Sequence, residues 1–208
     1  MCIRDSPKGG TLSAAPETKA NSPFRGLGGG GITFFNRQIK NWIYWTPAEG
    51  KAFWTPQNLT KVWSRGLEVR GNWGWQIKQL QLKIAGGYDW ILSTNQVALT
   101  TPNIAEGEQL FYVPKHRLFG KLEANFTGFQ FIYGHQYTSQ VRTPNANLLD
   151  DYQLGNASIN YAFQKAWFAG RVFFNTNNLW NSNYQIIEHR PMPGTNYEIG
   201  LRLKFLKT

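Results

Sequence analysis

Residues 80–93 read LQLKIAGGYDWILS, and their parity decides the fold. Leu80, Leu82, Ile84, Tyr88, Trp90 and Leu92 share one parity, whereas Gln81, Lys83, Asp89 and Ser93 share the other. Side chains alternate across a strand, so the stretch predicts a ribbon with one apolar and one polar face. Residues 62–75 divide the same way, with Trp63, Leu67, Val69, Trp73 and Trp75 against Ser64, Glu68, Arg70 and Asn72. The C-terminus repeats it, with Tyr197, Ile199, Leu201, Leu203 and Phe205 against Glu198, Arg202 and Lys204. Further strands are expected at 116–126, 129–140, 152–163 and 166–177. Residues 32–45 fit least well, because Arg37 and Asn41 share a parity with Phe35, Ile39, Ile43 and Trp45, which leaves their faces unassigned. No stretch keeps a helical period over ten residues, so the chain is all-β.

These strands span about 9 to 16 residues, where soluble strands average 5 or 6 and membrane strands need roughly 9 to 11. The connections alternate in length. Long ones are expected near 46–58, 94–115, 141–151 and 178–196, and short ones near 76–79, 127–128 and 164–165. Short turns on one rim and long loops on the other are the habit of an antiparallel transmembrane β-barrel of the outer membrane. In that order the first strand runs outward and the last ends on the periplasmic side. Trp42, Trp45, Trp63 and Trp90 then fall near the outer rim and Trp73, Trp75 and Trp167 near the inner one, as rings at two lipid–water interfaces should.

Composition agrees. Aromatics make up 15% of the 208 residues, yet no apolar run approaches the roughly 20 residues of a spanning helix. Lys and Arg outnumber Asp and Glu by 22 to 12, but they are scattered singly rather than clustered as a nucleic-acid footprint would be. One cysteine, Cys2, supports neither an intrachain disulfide nor a thiol metal cluster. Residues 1–25, rich in Pro, Ser, Ala, Lys and Gly, read as a loop or disordered segment without a secretory signal, and residues 26–208 as barrel. Met1–Ser6 resembles a translated adapter sequence, which would make those six residues non-native.

The segment 26–31, GLGGGG, satisfies GxGxxG by number, but a Pro/Ser-rich coil precedes it and a strand follows, so a flexible lead-in is expected instead of a dinucleotide site. His116, His135 and His189 lack metal-ligand spacing. Three sequons, at Asn58, Asn125 and Asn156, are chance matches, two of them inside strands. Neither a catalytic site, a cofactor nor a metal is expected.

Several motifs resemble the TonB-dependent outer-membrane receptors, and among them the cobalamin-receptor-like members found in Bacteroidetes. They are Pro56-Gln57-Asn58 leading into Val62–Glu68, Tyr112-Val113-Pro114-Lys115-His116, Asn177-Asn178-Leu179-Trp180-Asn181 with Tyr184, Pro191-Met192-Pro193-Gly194, and the closing strand Tyr197–Phe205. Two departures are Thr195 where the family usually has Arg, and Leu206-Lys207-Thr208 beyond the terminal aromatic. The resemblance implies a barrel of roughly 22 strands with a plugged lumen, of which this chain carries about the last eight. It implies as partners the outer-membrane lipid, an N-terminal plug, the TonB complex, the barrel assembly machinery and a scarce large solute, cobalamin-like or an iron chelate. It also implies that Tyr197, Leu201, Leu203 and Phe205 form the assembly signal. Glu68, Arg70, Lys83, Asp89, Glu123, Arg171, Asn175 and Arg202 are expected to line the lumen, and the loop residues Trp54 and Trp180 to contact ligand. Two other classes compete: a self-contained eight-stranded outer-membrane barrel of structural or adhesive role, and a soluble basic barrel binding nucleic acid.

Overall fold

The computed structural model describes residues 8–14, 24–47, 53–98 and 104–205. In chain order the strands are β1 (Lys8–Ala14), β2 (Phe24–Pro47), β3 (Trp54–Ile77), β4 (Leu80–Asn95), β5 (His116–Phe126), β6 (Phe129–Thr138), β7 (Val141–Arg142), β8 (Leu148–Leu149), β9 (Tyr152–Gln164), β10 (Phe168–Asn177), β11 (Gln185–Ile187), β12 (Arg190–Pro191) and β13 (Asn196–Phe205). Nine of them form one antiparallel meander in the order β1-β2-β3-β4-β5-β6-β9-β10-β13. The others make two small hairpins, β7–β8 and β11–β12, within the long connections. No helix occurs among the described residues.

Residues facing each other across a ladder share a face, so the register extends the period-2 reading from strand to strand. Phe34 pairs with Leu67, and Leu67 with Trp90. Ile84 pairs with Leu122, Leu122 with Tyr133, and Phe131 with Ile159. Ile159 in turn faces Phe174, and Phe174 faces Ile199. A single apolar face runs the width of the sheet, and much of it is bare: Phe34, Leu118, Ile159, Ile199 and Leu201 are all at least half exposed. The polar face gathers Glu68, Asp89, Arg117, Glu123, Asn175 and Glu198 by the same bookkeeping.

The register also assigns β2, whose faces sequence left open. Ile32 faces Val69 and Phe34 faces Leu67, so even-numbered residues from 28 to 40 lie on the apolar side and Phe35, Arg37 and Ile39 on the polar side. The alternation fades at Asn41, whose φ of 57° interrupts the ladder.

The short connections are Lys78-Gln79, Thr127-Gly128 and Lys165–Trp167. Thr127 (φ 45°) and Gly128 (φ 85°) are both left-handed, the geometry of the two-residue turn whose twist matches antiparallel strands. Three expectations change. Much of 46–58 is strand, because β2 and β3 stay paired out to Pro47 and Trp54 as a two-stranded ribbon beyond the end of β4. Lys8–Ala14, within the stretch expected to be loop, pair with Gly30–Asn36. Gly26–Gly31 are not a flexible lead-in but paired strand, with the Trp73 indole lying where a Gly28 side chain would stand.

Candidate functional site: the polar face and its loop cluster

Each charged node on the polar face is assembled by cross-strand pairing. Asp89 on β4, its side chain 4% exposed, has Arg70 of β3 at 2.5 Å and Arg117 of β5 at 3.6 Å. The Arg70 guanidinium donates instead to the carbonyls of Val69 and Tyr88, so its attraction to Asp89 Oδ1 is a contact of charges without an aligned hydrogen bond. Glu68 stands directly opposite Asp89, which makes a group of two cations and two carboxylates. Nearer the short-turn rim, Glu123 accepts from Asn125 (3.0 Å) and Gln130 (3.3 Å), with Lys121 and Lys83 at 3.5 and 3.9 Å. A third node is uncharged at its centre: the Ser158 hydroxyl donates to Asn175, and Asn175 donates to Glu198. Arg171 and Arg202 face each other across β10 and β13 and form no ion pair with a described residue.

The structure thus brings Arg70 and Asp89 together, and Lys83 and Glu123, while Arg171 and Arg202 gather on the last two strands of the sheet. Arg117 and Lys121 complete these nodes. They share the parity of Glu123 in β5, but His116-Arg117-Leu118-Phe119-Gly120 alternates too weakly to place them without the register.

Above these nodes three long connections converge. Residues 104–115 fold back along the end of β4, where Leu110 N donates to the Ser93 carbonyl and Ile91 N to the Lys115 carbonyl. Their apolar side chains bury a small core: Ile104, Leu110 and Phe111 are within 2% of full burial, and Leu110 packs with Val62, Ile39 and Val113. Arg142 of the β7–β8 hairpin reaches Glu108 at 2.5 Å, and its carbonyl accepts from Tyr112 N. Glu188, at the tip of β11–β12, accepts from Asn145 (2.8 Å) and Asn147 (2.5 Å). The hydrogen bond from Arg142 holds the Glu108 carboxyl below the usual range, and the bond from Asn147 does the same for Glu188. Tyr152 and Tyr184 add a ring contact at 4.7 Å, and the Ser182 hydroxyl donates to the Gln153 carbonyl. Between this cluster and the sheet lies a cavity of 410 Å³, lined among others by Tyr112, Arg117, Gln136, Tyr152 and Gln185.

Of the two loop tryptophans, Trp54 opens β3 and its side chain lies outside the described residues. Trp180 is 57% exposed and its indole occupies the space over Gly155, on the apolar side of β9. At the C-terminus Tyr197, Leu201, Leu203 and Phe205 all lie on the apolar face, with Phe205 stacked on Trp167 at 6.2 Å. Trp167 itself sits in the short connection between β9 and β10.

Residues 19–179 match the family model described as TonB dependent receptor-like, beta-barrel. The chain belongs to this family. No curated protein matches it. TonB-dependent receptor barrels are transport proteins of the outer membrane, and the two-faced antiparallel sheet described above is what such a barrel requires.

Proposed function

We propose that this chain forms the C-terminal part of the barrel of an outer-membrane receptor for TonB-dependent uptake of a large scarce solute, a cobalamin or an iron chelate. The apolar face meets lipid, and the polar face, with Glu68, Arg70, Lys83, Asp89, Glu123, Arg171, Asn175 and Arg202, lines a lumen occupied by the receptor's plug. The observation that carries the reading is the sorting of charge. Every carboxylate of the nine-stranded sheet with a described side chain lies on one face, and the other is predominantly apolar and free of carboxylates among the described residues. Carboxylates and cations are tolerated in a wet lumen, whereas Lys or Arg at the lipid midplane costs roughly 2–4 kcal/mol. The loop cluster and its 410 Å³ cavity stand where a solute arriving from outside would first meet polar and aromatic groups.

The test is uptake of radiolabelled cyanocobalamin and of ferric siderophores by cells whose only such receptor is the full-length protein. Accumulation of one of these that vanishes when TonB is deleted is the expected result. Accumulation of both classes at background level, or uptake indifferent to TonB, would contradict the reading.

A further inference from the structure

The apolar face carries charge in one place only. Among sheet residues with described side chains, every Asp and Glu points to the polar face, and so does every Lys and Arg except Lys40, Lys61 and Arg65. Those three sit together on β2 and β3 at the long-connection end of the sheet. Lys40 is the direct cross-strand partner of Lys61, and Arg65 lies four pairs further along the ladder on the same face, opposite Asn36.

Three details make this a built surface. Like charges directly opposite each other in a ladder repel, and neither lysine forms an ion pair with a described residue. The Arg65 guanidinium stands 3.8 Å from the Trp63 ring centroid and donates to the Thr94 hydroxyl, which fixes the cation on the outer side of the sheet. Trp63 is held in turn by its indole N–H, which donates to the Asn36 side chain. Leu92 stands directly opposite Arg65, and Leu67 and Trp90 lie immediately below on the same face, so the patch tops an apolar surface.

We propose that Lys40, Lys61 and Arg65 bind the phosphate groups of outer-leaflet lipid headgroups. The proposal rests on the reading of the apolar face as lipid-facing and of the long-connection rim as extracellular. At that height the neighbours are lipid headgroups, and their phosphates, the most highly charged groups they carry, answer three cations with no carboxylate on the same face. The stacked arginine offers a planar fork to phosphate oxygens, and the two lysines supply point charges beside it.

The experiment uses the full-length receptor in detergent micelles, titrated with diphosphoryl lipid A while bound lipid is read by native mass spectrometry. Heat-modifiable migration on gels verifies the folded barrel in each sample. Lys40→Gln or Lys61→Gln should weaken binding about fivefold, and the triple variant with Arg65→Gln about a hundredfold. The polar-face pair Lys83→Gln and Lys121→Gln should leave it unchanged. Equal binding by the triple variant, equal binding of lipid A stripped of phosphate, or full occupancy by inorganic phosphate at the same concentration would each overturn the lipid site while leaving the transport reading intact. A wild-type receptor that never gives the heat-modifiable form would overturn both.

Discussion

The phenyl ring of Phe119 fills the space that a side chain on Gly87, its cross-strand partner, would need: a Cβ built on Gly87 would meet Phe119 Cζ and the Val69 carbonyl at 2.7 Å each. The arrangement recurs at other direct pairs, with Phe35 over Gly66, Phe163 over Gly170 and Phe173 over Gly200. Aromatic rings covering glycines on neighbouring strands pin register where a bare backbone would weaken it.

Gly87→Ala should therefore destabilise the folded barrel by about 1–3 kcal/mol, because a ring and a backbone carbonyl must both move. Gly134→Ala meets nothing within 4 Å and should be neutral. Urea unfolding of the refolded full-length receptor, followed by tryptophan fluorescence, compares them. Equal midpoints for the two variants would refute the covering role of Phe119.

Removing the Asp89 carboxylate leaves Arg70 and Arg117 with Glu68 alone as counter-charge. Asp89→Ala should cost about 2 kcal/mol, in the range of charge-assisted contacts to a buried group. Asp89→Asn, which keeps the shape, should recover part of it. An unchanged urea midpoint for Asp89→Ala would show that the node contributes nothing.

The loop cluster should loosen in acid. Glu108 and Glu188 both have carboxyls held below their ordinary value of 4.5, by Arg142 and by Asn147 respectively. A depressed pKa stabilises the folded form fully above the ordinary value, and the contribution is lost as pH falls through the folded one. Hydrogen exchange in residues 104–115, 139–151 and 178–195, corrected for intrinsic rates, should be slow and flat at neutral pH and rise below about 4.5. Glu188→Ala should raise exchange in the β7–β8 hairpin about fivefold at neutral pH, equivalent to about 1 kcal/mol for bonds near water. Identical exchange in the variant would detach Glu188 from the cluster.

Phe205 stacks on Trp167 and lies opposite Phe168 at the end of the last strand. Phe205→Ser in the full-length protein should lower the amount of heat-modifiable barrel in the outer membrane, the aromatic ending being what the family resemblance assigns to the assembly machinery. Undiminished barrel on gels would count against that assignment.

Much of this architecture is legible from residues alone. The alternation in 80–93 fixes β4, and Thr127-Gly128 between Phe126 and Phe129 marks the turn from β5 to β6 directly. Other parts carry no local signal. Lys8–Ala14 reads KGGTLSA, with a single large apolar residue, so its pairing depends on the glycine-rich partner strand. Pro47 and Pro56 give the β2–β3 ribbon the local composition of a loop. A two-stranded ribbon tolerates proline because no third strand claims the missing N–H. The ties between Glu108 and Arg142, and between Asn145 and Glu188, join residues far apart in sequence, and no spacing rule announces them. The faces of β2 are set by its pairing, with Phe34 opposite Leu67, and not by its own alternation.

In the described sheet β1 and β13 are its two outermost strands, each paired on one side only. Hydrocarbon offers no hydrogen bonds, so the bare N–H and C=O groups along Asn196–Phe205 would each be stranded there at a penalty of several kcal/mol. Insertion must therefore wait for closure: the seam at β13 has to be zipped to another strand before the ribbon can exchange water for lipid, and until then it remains adhesive toward any strand that passes.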